Sequence, residues 1–407
     1  MKKLAYPTLI LVLLTTLGFV YRNYEKKKND VPMLQERSQA QSVSMQSEWL
    51  NTKAAIEGLL DKLRRQPDNM KAKLQLAMAY VQEGRVTGNH TYYDEAAYKL
   101  VSQILEKDPK NLDALTVKAT LLLSQHHFAD GLAAANEFIT LNPDAAFGYG
   151  LLVDAQTELG NYPEAVKAAD KMVGIRPDLR SYSRVSYLRE IHGDMDGAKE
   201  AMNLAVKAGV PALEQTEWCR TQLAQLYEKT NDFEKARVLY EESLAYRPDY
   251  AYGLAGLGRL AKQKGNYTEG VAYFEKASLQ TSDFSFNDEM IDCLLQIDPS
   301  KARAESEKLI ENLSKHATDD KASPDKGHYA DKELAYAYLK IGDTERALEH
   351  ATREWMRRPD NIEVNECLAW VYFQKKDLDK AKMYISRAVR TNSQNPVLKA
   401  RAAKIGV

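Results

Sequence analysis

Apolar positions along the chain fall into helix-like blocks separated by short charged or polar turns, and the blocks keep a fixed beat. Pro109, Pro143 and Pro177 stand at equal intervals of 34, each following a helix-like block. A unit of two helices and a turn at this period has an apolar face it cannot bury alone, so such units stack on one another. The beat continues through the small residue that lets the second helix of each unit approach the first. Ala55, Ala97, Gly131, Ala165, Ala198, Ala236, Gly270, Ala302, Ala347 and Ala381 hold that place, at intervals of 42, 34, 34, 33, 38, 34, 32, 45 and 34. A larger side chain there would hold the helix axes apart. Two long intervals have visible causes. Arg85 to Tyr92, rich in turn formers, reads as an enlarged turn, and the polar stretch His316 to Gly327 separates two units ahead of His328.

Single units carry a more specific signature. Leu159-Gly160-Asn161-Tyr162-Pro163-Glu164-Ala165 lies at the centre of Tyr149 to Pro177, and Leu254 to Ser282 repeats it with Leu257-Gly258, Gly265-Asn266-Tyr267-Thr268-Glu269-Gly270, Phe274 and Ala277. Similar groups are Leu223-Ala224, Tyr227, Asp232-Phe233, Ala236 and Pro248, and Leu368-Ala369, Tyr372, Asp377-Leu378, Ala381 and Ala388. From Ser47 to Ile405 the chain resembles the tetratricopeptide-repeat family. It departs from the pattern at Phe284 to His316, where Ile297-Asp298-Pro299-Ser300 replaces the usual Gly-Asp turn. Gly88 to Tyr93 and Ser183 to Asp194 resemble segments of a functionally uncharacterised group of bacterial tetratricopeptide proteins that are membrane-anchored or exported. The resemblance implies an all-α fold, a right-handed superhelical solenoid of helix-turn-helix repeats. Within 47–405 it would comprise a half-repeat near 47–68, about nine repeats from 70 to 395 and a short terminal helix over 396–405.

Composition removes several functions. Lys and Arg number 56 against 57 Asp and Glu, a net charge of −1 that gives nucleic acid no electrostatic footing. Lys62-Leu63-Arg64-Arg65 and Arg357-Arg358 fall at the ends of second helices, where cations meet the negative end of the helix dipole. Length would suggest several domains, but a solenoid adds length without adding cores.

The start of the chain reads differently. Lys2-Lys3 precedes an apolar run from Leu4 to Val20, at the short limit for crossing a bilayer, followed by Arg22 and Lys26-Lys27-Lys28. With no small-x-small cleavage site after it, the segment 1–28 is expected to be an uncleaved hydrophobic membrane anchor, with cleavage and secretion as the alternative. Cations on both sides leave the positive-inside count nearly balanced. The charged start resembles an export signal, so the repeats are expected outside the cytoplasm, in the periplasm; an array anchored on the cytoplasmic face is the other orientation. Residues 29–46, polar and Gln/Ser-rich, are expected to form a flexible tether.

Candidate chemistry is sparse. Cys219, Cys293 and Cys367 fall at equal intervals of 74, about two repeats, too far for disulfides. They read as packing residues. His126 and His127 are adjacent and diverge on a helix, and His90, His192, His316, His328 and His350 are scattered, so no metal site is expected. Phosphate loops and nucleophile motifs are missing from the sequence. Neither catalysis nor a cofactor is expected.

What remains is the inner wall. In the resembled fold the first helix of each repeat lines a concave groove, and projecting the register places Phe147, Asp154, Arg180, Tyr187, Trp218, Gln225, Tyr252, Arg259, Tyr329, Tyr336, Trp370 and Phe373 on it. Aromatic rings among charged and amide groups suit an extended peptide or the face of a sugar ring. The carboxylate-clamp pattern of chaperone-binding tetratricopeptide domains is not evident. The expected function is therefore a non-enzymatic scaffold at the cell envelope that binds a protein or peptide partner; the alternative is an envelope glycan held by the same aromatics.

Overall fold

The computed structural model of the chain describes residues 15–16, 31–317 and 328–407. Apart from Thr15 and Thr16, the expected anchor over 1–28 lies outside the described residues, as do residues 318–327 of the polar stretch. No helix among the described residues is long and apolar enough to cross a membrane.

The described residues form 21 α-helices and no β-strand. Helices α1 (Gln39–Ser44) and α2 (Gln46–Arg65) precede nine pairs. The first four pairs are α3 (Met70–Thr87) with α4 (His90–Lys107), α5 (Leu112–Ser124) with α6 (Phe128–Leu141), α7 (Ala146–Glu158) with α8 (Tyr162–Ile175), and α9 (Leu179–Ile191) with α10 (Met195–Ala208). They continue as α11 (Glu214–Lys229) with α12 (Phe233–Tyr246), α13 (Ala251–Gln263) with α14 (Tyr267–Gln280), and α15 (Phe284–Ile297) with α16 (Pro299–His316). Last come α17 (Asp331–Lys340) with α18 (Thr344–Arg357), α19 (Ile362–Gln374) with α20 (Leu378–Ala388), and the unpaired α21 (Pro396–Ile405).

Turn chemistry explains where the helices stop. Gly160, Gly193, Gly265 and Gly342 follow first helices with φ between 80° and 83°, a conformation that suits glycine. Asp194, Asp232, Asp343 and Asp377 then cap second helices by accepting from their free N–H groups. At the departing repeat Asp298 alone joins α15 to α16; its side chain accepts from Lys301 N–H, and Pro299 opens the helix.

The small anchors pack as expected. Ala97, Ala165, Ala198, Ala236, Ala302, Ala347 and Ala381 are fully buried. At Gly131 a Cβ would fall 2.6 Å from the Leu123 side chain. Ala55 differs: it is exposed, while the neighbouring Ile56 is buried. Among the described residues only the short α1 stands ahead of α2.

Two further expectations are corrected. Arg85 to Tyr92 is mostly helix, with only Gly88-Asn89 as the turn, so α3 and α4 each reach 18 residues where α5 to α8 have 13 or 14. The added residues amount to about one helical turn per helix, which keeps the pair in phase. Nor do residues 31–46 form a free tether. Tyr80, Tyr92 and Tyr93 donate their hydroxyls to the carbonyls of Pro32, Met33 and Gln35. Arg37 is buried between the Glu83 carboxylate and the Trp49 ring.

The array then winds back upon itself. Arg247 binds Glu48 across 199 residues, Ile362 N–H donates to the Tyr162 hydroxyl across 200, and Asn361 donates to the Glu158 carbonyl across 203. Tyr329 N–H likewise donates to the Gln125 carbonyl. At roughly 34 residues per pair this offset is about six pairs per superhelical turn. Nine pairs therefore make roughly one and a half turns, and the edges of successive turns meet along a seam. The extra turn of α3 reaches this seam, where the Thr87 carbonyl accepts from Ser282 N–H at 3.0 Å; Arg85 on the same turn binds Glu214, only 129 residues away, at 2.5 Å.

Candidate functional site

Successive first helices are laced together by opposite charges about one repeat apart. Arg184 binds Asp154 at 2.8 Å through Nε, Lys332 binds Glu363 at 2.7 Å, and Lys262 binds Asp292 at 2.8 Å. Arg259 spans three helices, reaching Glu228 on α11 and Glu289 on α15 from its own place on α13. Burial opposes its charge, but Glu289, the Tyr240 oxygen and Glu228 hold it well above the ordinary range.

The aromatic residues expected on the inner wall join this lattice. The Arg180 guanidinium lies 5.2 Å over the Phe147 ring. Arg85 covers the half-buried Trp218 at 5.7 Å, and Gln225 lies half-buried on the same helix. Tyr252 donates to Asp283 at 3.2 Å and meets Phe286 edge-on at 5.4 Å. Tyr187 reaches Glu363 at 3.3 Å, which joins α9 to α19 across 176 residues of chain. The negative charge of Glu363, followed by burial, pushes the Tyr187 phenol well up.

At the C-terminal end, Trp370 and Phe373 stack with centroids 5.0 Å apart at 16°. Helix α21 supplies Arg401, 5.1 Å over Trp370, and Lys404 at 5.8 Å. Arg401 also donates to the Tyr336 hydroxyl at 2.8 Å and to Glu366 at 2.7 Å. Two near-parallel rings thus carry two cations over the Trp370 ring, with Trp370 and Phe373 each half-buried.

One expected wall residue lies elsewhere. Tyr329 precedes α17 and packs at the seam, 4.2 Å from the His127 ring and 4.2 Å below the Arg357 guanidinium. It lies outside any helix, so the helical register expected for it does not apply. Arg358, at a helix end as expected, is also buried between Glu354 and Glu158 and covers the Phe128 ring at 4.7 Å. The three cysteines are free and buried, and burial pushes the Cys219 and Cys367 thiols up to about 12.

Two histidine groupings were invisible in the sequence. Ser124 donates to Asp94 at 2.6 Å, but both residues meet His90 at the same nitrogen, Nδ1, so the three cannot relay a proton from Ser to Asp through the ring. At the seam His126, His328 and Glu333 converge, with potential ligand atoms within 4.8 Å of one another. Burial holds His126 well below the usual imidazole range and also lowers His328. His126 and His127 lie in a turn and not on a helix as expected, and both meet Tyr329, His126 at its carbonyl across 203 residues of chain and His127 at its ring.

Paired helices, small anchors and glycine turns define a helical-repeat solenoid. Family profiles described as Tetratricopeptide repeat match residues 116–179, 221–283 and 367–395, and the chain is a tetratricopeptide-repeat protein. No curated protein matches the sequence. Among solved structures, the human IFIT1 dimer with PPP-AAAA is 15% identical, with 83% of this chain and 78% of that one covered at a TM-score of 0.51. A tetratricopeptide repeat protein from Parabacteroides merdae ATCC 43184 is 16% identical, with 63% and 100% covered at 0.46. The APC/C hetero-tetramer Cut9-Hcn1 is 15% identical and covered over 57% of its length, against 85% of this chain, at 0.42. This chain therefore spans just over half of the Cut9-Hcn1 chain. At such identities the likeness is one of fold.

Proposed function

We infer that this chain is a non-enzymatic interaction scaffold at the cell envelope, anchored through its apolar N-terminal run with the repeats outside the cytoplasm. It takes a protein or peptide partner against the inner wall of the array. The observation that carries this reading is the Trp370–Phe373 platform, stacked at 5.0 Å and flanked by Arg401 and Lys404. Rigid aromatic area beside fixed charge favours binding, because little side-chain freedom is lost when a partner arrives. Through most of the rest of the wall, and at Arg401 with Glu366, charges already neutralise one another, so Lys404 and the stacked rings are where an incoming carboxylate or ring gains most.

Pull-down from detergent-solubilised membranes tests the reading, comparing wild type with Trp370→Ala combined with Trp218→Ala. Loss of a defined partner is expected, and unchanged recovery contradicts the inner-wall site. Rings parallel to within 16° also suit the face of a sugar. Retention of an envelope glycan by the purified chain, lost in the Trp370→Ala variant and without any protein partner, would select that second reading.

A further inference from the structure

His126 sits in the turn between α5 and α6 with φ of 63°; its N–H donates to the Leu123 carbonyl, and the carbonyl of the preceding Gln125 accepts from Tyr329 N–H across the seam. Its Nδ1 lies 3.0 Å from the Tyr329 carbonyl oxygen. A carbonyl only accepts, so Nδ1 carries the proton and Nε2 keeps its lone pair free. The His328 ring stands 4.0 Å from the His126 ring, centroid to centroid, and is itself hydrogen-bonded to the backbone of Ser124. Glu333, in the first turn of α17, brings a carboxylate whose Oε2 is buried without a hydrogen-bond partner. A buried, unpartnered carboxylate oxygen costs free energy unless something electropositive meets it.

Each feature is what a metal ligand requires. An imidazole that donates one N–H to a backbone carbonyl has its ring orientation and tautomer fixed for ligation through the other nitrogen. The orphaned oxygen supplies the negative ligand. We propose that His126, His328 and Glu333 form a two-histidine, one-carboxylate site for a divalent transition metal of the zinc class, bridging two superhelical turns.

The donor set selects the metal. Nitrogen ligands suit zinc, cobalt and nickel, whereas magnesium and calcium take oxygen cages. Bonds of about 2.0–2.1 Å in a tetrahedron place ligand atoms roughly 3.4 Å apart. Present separations within 4.8 Å require a closure of order 1 Å. His328 precedes α17, outside any helix, and Glu333 has a flexible stem, so both can supply it. One position stays open to water or a partner's side chain. Because the ligands come from both sides of the seam, the bound ion ties one superhelical turn to the next.

The test uses the full chain purified in detergent, with Co2+ alone and then Zn2+ alone as probes. Wild type is expected to bind one Co2+ with the intense visible bands of a tetrahedral site. Equimolar Zn2+ should displace it and raise the melting temperature. His126→Gln and Glu333→Gln should each weaken binding by at least about 100-fold, beyond the loss of an outer partner. His192→Gln, whose ring is exposed away from the site, should leave it unchanged. A pale octahedral cobalt spectrum in wild type overturns the proposal even if the variants fold poorly. So does zinc retention by the His126→Gln, His328→Gln double variant equal to that of wild type.

Discussion

Gly160 lies against the backbone of Asp360, so closely that a Cβ on it would stand 2.2 Å from the Asp360 carbonyl oxygen. Gly265 fills the same place in its own repeat, with φ of 80° against 83°, and has nothing within 4 Å. The two turns share their conformation and differ only in what faces them. Gly160→Ala and Gly265→Ala should both cost about 1 kcal/mol or more for the left-handed turn. Only Gly160→Ala should also part the seam, lowering the melting temperature further and enlarging the radius of gyration in small-angle scattering. Equal effects at the two glycines would contradict a seam.

Arg358 is buried at 3% exposure between Glu354 and Glu158. Removing the cation leaves Glu158 without its charge partner and Glu354 with Arg357 alone, so Arg358→Met should cost about 3–5 kcal/mol. The half-exposed Arg237, paired with Glu234 and Glu241 at the surface, provides the contrast, and Arg237→Met should leave stability almost unchanged. Urea unfolding of the two variants checks the difference, read at the first transition because repeat arrays can unfold in steps.

Glu363 binds Lys332, whose positive charge outweighs burial and holds the carboxyl at about 2 against an ordinary 4.5. A depressed carboxylate contributes stability that is complete above its unfolded value and fades as pH falls toward the folded one. That contribution should be present above about 4.5 and lost between there and about 2. Lys332→Met should move Glu363 back toward the ordinary range. A carbon-13 titration of the Glu363 carboxyl reads both, and a wild-type midpoint near 4.5 would refute the assignment.

The sequence disclosed what one repeat does to its neighbour. Ala165, Ala198 and Gly131 were legible because close approach of paired helices is a local demand repeated at a fixed period. Charge pairs such as Asp154 with Arg184 and Lys332 with Glu363 were legible in principle, as opposite signs about one repeat apart. The seam was not. Tyr329, Arg358 and His126 find their partners a whole superhelical turn away along the chain, and that distance depends on the small rotation from each pair to the next. Arg37 was hidden for a related reason: a polar stretch reads as solvent-exposed until the carboxylate that buries it, Glu83, is known.

Closure of the superhelix is tested most directly by pulsed electron spin resonance between labels at Asn161→Cys and Asp360→Cys. Both positions are exposed, and the three native cysteines are buried, so labelling is confined to the introduced thiols. A closed seam gives one narrow, short distance between the labels. A separation of three or more helix diameters, roughly 30 Å at about 10 Å each, or a broad distribution, would contradict it.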